Sequence, residues 1–230
     1  MDFKYNTEAG WLAMDNRYNL FIFDLDGTLV DSAQQITAAI NETRVEYGHP
    51  ELELAHASTL IGLPATELVM DLEVTAEESS AMIKRFRDIL LEAVEIENPV
   101  FPGVIEFLES CKKHGILLGV ATSKPHYIAQ KVIENSELNG YFFHVQGVDG
   151  FSGKPNPEVI NRVIYASDSK TSLMFGDRIE DIVAAGAAGI DSIGIAQGTH
   201  SQEQLAAVGA SRTFKNFSDA ITLFNNFLFI

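Results

Sequence analysis

Basic residues are scarce in this chain. Sixteen lysines and arginines stand against 32 aspartates and glutamates in 230 residues, a formal charge of −16. Nucleic acids and anionic membrane surfaces are held through basic footprints, so this balance argues against general binding to either. It also sets a problem for an anionic substrate, which must find local positive charge in a repelling field; a metal ion and a few placed lysines would solve it. Cysteine is nearly missing too. Cys111 is the only one, so no internal disulfide can form and no zinc cluster can be built from thiolates. Three residues after Leu108, it is expected to pack in a helix as a small hydrophobe. No stretch approaches the roughly 20 apolar residues of a membrane span. The opening Met1-Asp2-Phe3-Lys4 lacks a basic region followed by an apolar one, so no secretory leader is expected and the cytoplasm is the expected place of work.

What is present is a globular composition, 46% apolar, enough for one large domain or one domain with a smaller one inserted. Short apolar runs recur at Leu20–Phe23, Ile116–Val120, Phe142–Val145, Leu173–Phe175 and Ser192–Ala196. Runs of this kind suit strands buried on both faces, as in a parallel sheet. Helical spacing lies between them. Pro125 and Pro157 each open a helix, Ile182–Ala188 is stopped by Gly189, and Ser218 caps a last helix through Leu228. The alternation predicts a doubly wound, Rossmann-like α/β domain with a parallel sheet. Residues 32–98 break it. Ile36, Ile40 and Tyr47 fall at helical spacing, Thr75-Ala76-Glu77-Glu78 has the form of a capping box, and Met82, Ile83, Phe86, Ile89, Leu90 and Ala93 make one stripe. The sequence therefore predicts a core of residues 19–31 and 99–230, an inserted helical cap at 32–98, and an extension at 1–18 without clear signal.

Four polar segments sit at or near the ends of the predicted strands. Phe23-Asp24-Leu25-Asp26-Gly27-Thr28 follows the first; residues two apart on an extended chain point the same way, so two carboxylates project together. A cation, a shared proton or strong donors must hold them, and Gly27 permits the turn away. Val120-Ala121-Thr122-Ser123-Lys124-Pro125 ends the second strand with hydroxyls and the start of a helix, groups that bind phosphate oxygens. Gly153-Lys154-Pro155-Asn156-Pro157 holds a lysine in a stiff loop, where it could neutralise phosphate charge and restrain carboxylates. Gly176-Asp177-Arg178-Ile179-Glu180-Asp181 places two carboxylates at i and i+4, hard oxygen ligands suited to Mg²⁺. Open α/β sheets bind ligands outside the carboxyl ends of their strands, so the four segments are expected to form one site.

Their order, Asp-x-Asp-Gly-Thr, a strand-end Thr, Lys-Pro-x-Pro, then Gly-Asp-x-x-x-Asp, resembles the haloacid dehalogenase superfamily over residues 19–215. A helical cap after the first motif is similar to the subgroup of phosphoglycolate phosphatases and β-phosphoglucomutases, and Asp26-Gly27-Thr28-Leu29-Val30-Asp31-Ser32 resembles the phosphoglycolate phosphatase branch. The chain departs from many of that branch at Ala196-Gln197-Gly198-Thr199, where they carry an aromatic-glycine pattern. The resemblance implies a Mg²⁺-dependent phosphatase acting on a small phosphorylated metabolite. It implies Asp24 as nucleophile and metal ligand, and Asp26 as general acid/base with its backbone carbonyl on the metal. Thr122 and Lys154 would hold the phosphoryl group, with Gly27, Thr28, Ser123 and Lys124 as further substrate contacts. Asp177 and Asp181 would complete the metal site. A sugar-phosphate mutase, a pyrophosphatase and a nucleotidase stay open on the same scaffold. Selectivity is expected in the cap, at Ile61-Gly62-Leu63-Pro64, Arg85 and Arg87.

Overall fold

The structure, a computed structural model, describes residues 18–63, 65–69 and 72–227. The extension at 1–17, Pro64 of the cap loop and Leu228 lie outside the described residues. In chain order the elements are β1 (Leu20–Phe23), α1 (Ala33–Glu46), α2 (Leu54–Leu60), a 3₁₀ turn (Ala65–Val69), α3 (Ala76–Val94), α4 (Val104–Lys113), β2 (Leu117–Pro125), α5 (His126–Glu134), β3 (His144–Val148), α6 (Glu158–Ser167), β4 (Ser172–Gly176), α7 (Ile179–Ala187), β5 (Asp191–Ile195), α8 (Gln202–Ala207), β6 (Arg212–Phe214) and α9 (Phe217–Phe227).

The sheet has six strands in the order β3-β2-β1-β4-β5-β6, and every pair is parallel. The chain winds outward from β1 on one side and from β4 on the other, so the strand order reverses at the β1–β4 junction. That junction is where such sheets open a crevice at their carboxyl ends. The alternation of β1 explains the two layers. Leu20 and Ile22 join Met174, Val159, Ile160, Val163, Ala184 and Ala185 under α6 and α7. Phe21 and Phe23 face the other way, into a cluster with Phe175, Phe107 of α4, and Phe217 and Phe224 of α9. Phe23 and Phe175 are register partners and stack with centroids 4.9 Å apart at 17°. Truncating such a buried ring to Ala typically costs about 3–5 kcal/mol.

α1, α2, the 3₁₀ turn and α3 are inserted between β1 and α4. α3 packs on α1 and touches α5 of the sheet layer. Ile36, Ile40, Met82, Phe86, Ile89 and Leu90 are buried, so the predicted stripe is an interior face. Thr75 Oγ accepts from Glu78 N–H at 3.2 Å, the cap its sequence predicts.

Several boundaries differ from expectation. The third strand is His144–Val148, not Phe142–Val145. Phe142 precedes it, with its ring 6.1 Å from that of Phe23, so this part of the apolar run serves loop packing. The second strand continues to Pro125, with a break in register between Ala121 and Pro125 that carries Thr122–Lys124 beyond the regular ladder. Pro125 and Pro157 stand just before their helices, within the usual play of such ends. Ser218 lies inside the last helix; Asn216 Oδ1 takes the N–H of Asp219 at 2.9 Å instead. Cys111 is buried in α4, as its spacing predicts.

Candidate active site

β1 delivers Asp24 to the crevice, with its N–H donating to Phe175 O at 2.9 Å. The chain then turns sharply: Leu29 and Val30 both donate to Leu25 O. Asp24 joins Asp177 and Asp181, each offering an oxygen within 4.8 Å of the others. The side chain of Asp26 is not in that group. Lys124 Nζ donates to both its oxygens, at 2.8 and 3.0 Å. Asp26 is still near enough for its charge to act on Asp24.

Lys154 ties the group together. Its Nζ lies 2.6 Å from Asp24 and 2.6 Å from Asp181, and donates to Ala121 O at 3.0 Å. Asp181 also accepts from Arg178 N–H at 2.9 Å. Asp177 accepts from Thr28 Oγ1 at 2.8 Å and from Thr199 N–H at 2.8 Å. Glycines let these groups come so near. A Cβ on Gly27, whose φ is +83°, would sit 2.7 Å from Asp177 Oδ2, and one on Gly198 would sit 2.1 Å from it.

Burial sets the electrostatics. It lifts the Asp24 carboxyl to about 6, with Asp181 and Asp26 adding to the rise and Lys154 opposing it. Burial and then the charge of Asp24 lift Asp177 to about 6, against its bonds from Thr199 and Thr28. Asp181 is raised for the same first reason. Burial alone would depress the Lys154 ammonium, but Asp181 and Asp24 outweigh it and hold it at about 12. With Glu180 and its partner Arg178 counted, the five carboxylates of Asp24, Asp26, Asp177, Glu180 and Asp181 face three cations, Lys124, Lys154 and Arg178, leaving two negative charges uncompensated when all are ionised. A buried all-oxygen donor set short of two positive charges fits a divalent cation such as Mg²⁺.

The remaining expected residues are placed as follows. Thr122 is buried, its Oγ1 accepting from Lys124 N–H at 3.2 Å. Ser123 Oγ accepts from Lys154 N–H at 3.1 Å. Thr28 spends its hydroxyl hydrogen on Asp177. A cavity of about 840 Å³ adjoins the cluster. Asp26, Ser123, Lys124 and Lys154 line it from the sheet side. Gly27, Thr28, Thr122 and Asp24 do not reach its wall. Opposite stand Leu60, Gly62, Leu63, Phe86, Arg87 and Leu90 of the insertion. Arg85 points elsewhere and pairs with Glu46 at 2.7 Å and Glu42 at 3.1 Å.

Sequence reasoning missed three contributors: Arg178, whose side chain is buried, and Gly198 and Thr199, which close around Asp177. The last two follow the end of β5, so the strand-end rule that located the other motifs also covered them.

A parallel sheet with carboxylates and a lysine converging at its switch point defines a doubly wound α/β protein with a charged site at the carboxyl ends of its strands. Comparison with known proteins gives the family. Residues 21–195 match the model of the haloacid dehalogenase-like hydrolases. The chain is 34% identical to the probable phosphatase IndB of Dickeya dadantii over 210 residues, 88% of this chain and 91% of that one. It is 29% identical to a phosphoglycolate phosphatase of Caulobacter vibrioides over 206 residues, 86% of each. Among solved structures, a predicted phosphatase from Clostridium acetobutylicum superposes with a TM-score of 0.82 at 28% identity, covering 91% of this chain and 99% of that one. The chain belongs to the haloacid dehalogenase-like hydrolases. No described helix is long and apolar enough to cross a membrane.

Proposed function

We propose that the protein is a Mg²⁺-dependent phosphatase that cleaves small phosphate monoesters through an aspartyl-phosphate on Asp24. The observation that carries this reading is Asp24 itself: a buried carboxylate at a strand end, 2.6 Å from Lys154 and grouped with Asp177 and Asp181. A carboxylate nucleophile divides one hard displacement into two easier ones. Asp24, Asp177 and Asp181 would hold the cation, which when bound neutralises charge on the transferring group. Lys154 lines the cavity and touches Asp24, so its ammonium stands where an entering phosphoryl group would be received. Asp26 also lines the cavity and is the group placed to protonate the leaving alcohol and later to take a proton from water, with Lys124 steadying it. Thr122 bonds the backbone of Lys124, and Ser123 bonds that of Lys154. The helical insertion at 32–98 is read as a cap that shuts the cavity and selects the leaving group. Its relatives make 2-phosphoglycolate the first ester to test.

The test is phosphate release from a panel of monoesters, with and without exhaustive chelation, joined to a trapping experiment. Asp26→Asn keeps the shape but loses the proton-transfer group. Given a nitrophenyl ester, whose leaving group needs little protonation, it should release a burst of nitrophenol equal to the enzyme and retain hydroxylamine-sensitive phosphate on Asp24 by mass spectrometry. Phosphate on Thr122 or Ser123 would move the nucleophile and overturn the mechanism. Turnover undiminished by chelation would remove the cation. Transfer to a bound sugar phosphate without release of phosphate would favour a mutase.

A further inference from the structure

Arg178 is the charged group of this site that the proposed chemistry leaves unused. It lies next to Asp177 in the chain, and its N–H serves Asp181. Its side chain is 5% exposed and runs to the helical insertion. There Nη1 donates to the main-chain carbonyl of Thr59 at 3.3 Å and to that of Ile61. These carbonyls lie at the end of α2, where a helix leaves acceptors without internal partners. The same Nη1 donates to Thr199 Oγ1 at 3.2 Å, and Nε donates to Glu180 Oε2 at 3.0 Å. Thr199 is the residue whose N–H holds Asp177. The insertion is shaped to receive this side chain: Gly62 has φ +79°, and a Cβ there would lie 2.8 Å from Arg178 Cδ. Nε and Nη1 of one planar head reach Glu180 and the loop at the same time, which the single nitrogen of a lysine cannot.

We propose that Arg178 is a positioning residue that docks the 59–62 loop of the insertion onto the carboxylate cluster, so that closure of the cavity and placement of Asp177 are set by one side chain. It touches no reacting atom. It converts the position of the loop into the position of Thr199 and, through it, of Asp177.

The experiment uses the full chain with Mg²⁺ and the variants Arg178→Gln, Arg178→Lys and Gly62→Ala. Amide hydrogen exchange is read first, because it does not depend on the phosphatase reading. Loss of charge-assisted bonds shifts an equilibrium by roughly tenfold to a hundredfold, so Arg178→Gln should accelerate exchange over residues 54–63 by about that factor. β1 and β4 should keep their protection. Arg178→Lys should recover part of the effect. Gly62→Ala should loosen the same segment, and the double variant should be no faster than the worse single one, since both break one contact. On the phosphatase reading, Arg178→Gln should also raise KM about tenfold, leaving the pH profile of kcat in place. Unchanged exchange over 54–63 in Arg178→Gln overturns the proposal, as do additive effects of the two substitutions. Acceleration spread evenly through the sheet would mean that Arg178 supports the whole fold and would equally overturn the local role. If the unmutated protein cleaves no ester, the phosphatase reading fails while the exchange result still decides the docking.

Discussion

The two walls of the cavity are built differently. On the sheet side, Asp26, Lys124 and Lys154 are buried, and each is bonded to another charged group. On the insertion side the wall is mostly apolar, from Leu60, Leu63, Phe86 and Leu90. Its cation, Arg87, is exposed, and no acidic group pairs with it among the described residues. Charges that are buried and mutually bonded are costly to move, because removing one leaves its partner uncompensated. The partly buried Leu63 and an exposed arginine can be exchanged at less cost to the fold than Phe86 and Leu90, which also belong to its core. On the proposed function, the chemistry would belong to one wall and selection among substrates to the other.

The largest effect should come from just behind the sheet-side wall, where Lys154 holds Asp24. Asp24→Asn is expected to lower phosphate release by roughly 10³-fold or more, the scale of losing a nucleophile. Circular dichroism should show the fold retained, since an amide can still accept from Lys154. A variant within tenfold of the parent would show that Asp24 is not the attacking group.

A second, smaller effect concerns the cation. Asp24 and Asp177 titrate near 6 when folded and near 3.8 in the absence of the fold. Between these values the folded state holds protons that the unfolded chain has released. The unfolding free energy therefore falls as pH rises from about 4 to about 6, and it stays reduced above. A bound cation displaces those protons and removes the penalty. Mg²⁺ should raise Tm by several degrees at pH 7.5 and by much less at pH 5, read by scanning calorimetry. Asp177→Asn should lose most of the shift at the higher pH and roughly a hundredfold in activity. Equal shifts at both pH values in the parent would break the account.

The selecting wall should respond more mildly. Arg87→Ala is expected to change relative kcat/KM among esters by about tenfold, most for those bearing a second anionic group. Arg85→Ala, with its partners on the protein surface, should leave the substrate profile alone and change stability little. A profile that moves with Arg85 rather than Arg87 would reverse the assignment.

Much of this arrangement is legible in the sequence. Apolar runs that end in Asp, Thr or Gly-Asp mark the carboxyl ends of buried strands, and parallel winding must bring those ends to one edge. That logic located Asp24, Lys154, Asp177 and Asp181. It did not reach beyond the strands. Whether Asp26 turns toward Lys124 depends on a tight turn, and the partner of Arg178 depends on where a segment more than a hundred residues away comes to rest. A local pattern holds neither fact. Nor could spacing divide Arg85 from Arg87, which are two residues apart on one helix and face different surroundings. The third strand was misplaced because Phe142 is apolar for the sake of a loop that packs on Phe23.

The stacked pair Phe23 and Phe175 has a consequence for how the site pre-exists its ligand. Each ring belongs to the last residues of its strand before an acidic group, Asp24 directly and Asp177 after Gly176. The separation of those two carboxylates is thus inherited from the spacing of two neighbouring strands pinned by aromatic rings, in an interior packed as densely as an organic crystal. Repulsion between the acids cannot be relieved by letting the strand ends drift apart. The fold stores that repulsion as preorganisation, so a cation entering the crevice finds its oxygens already assembled and spends little of its binding energy on reorganising the protein.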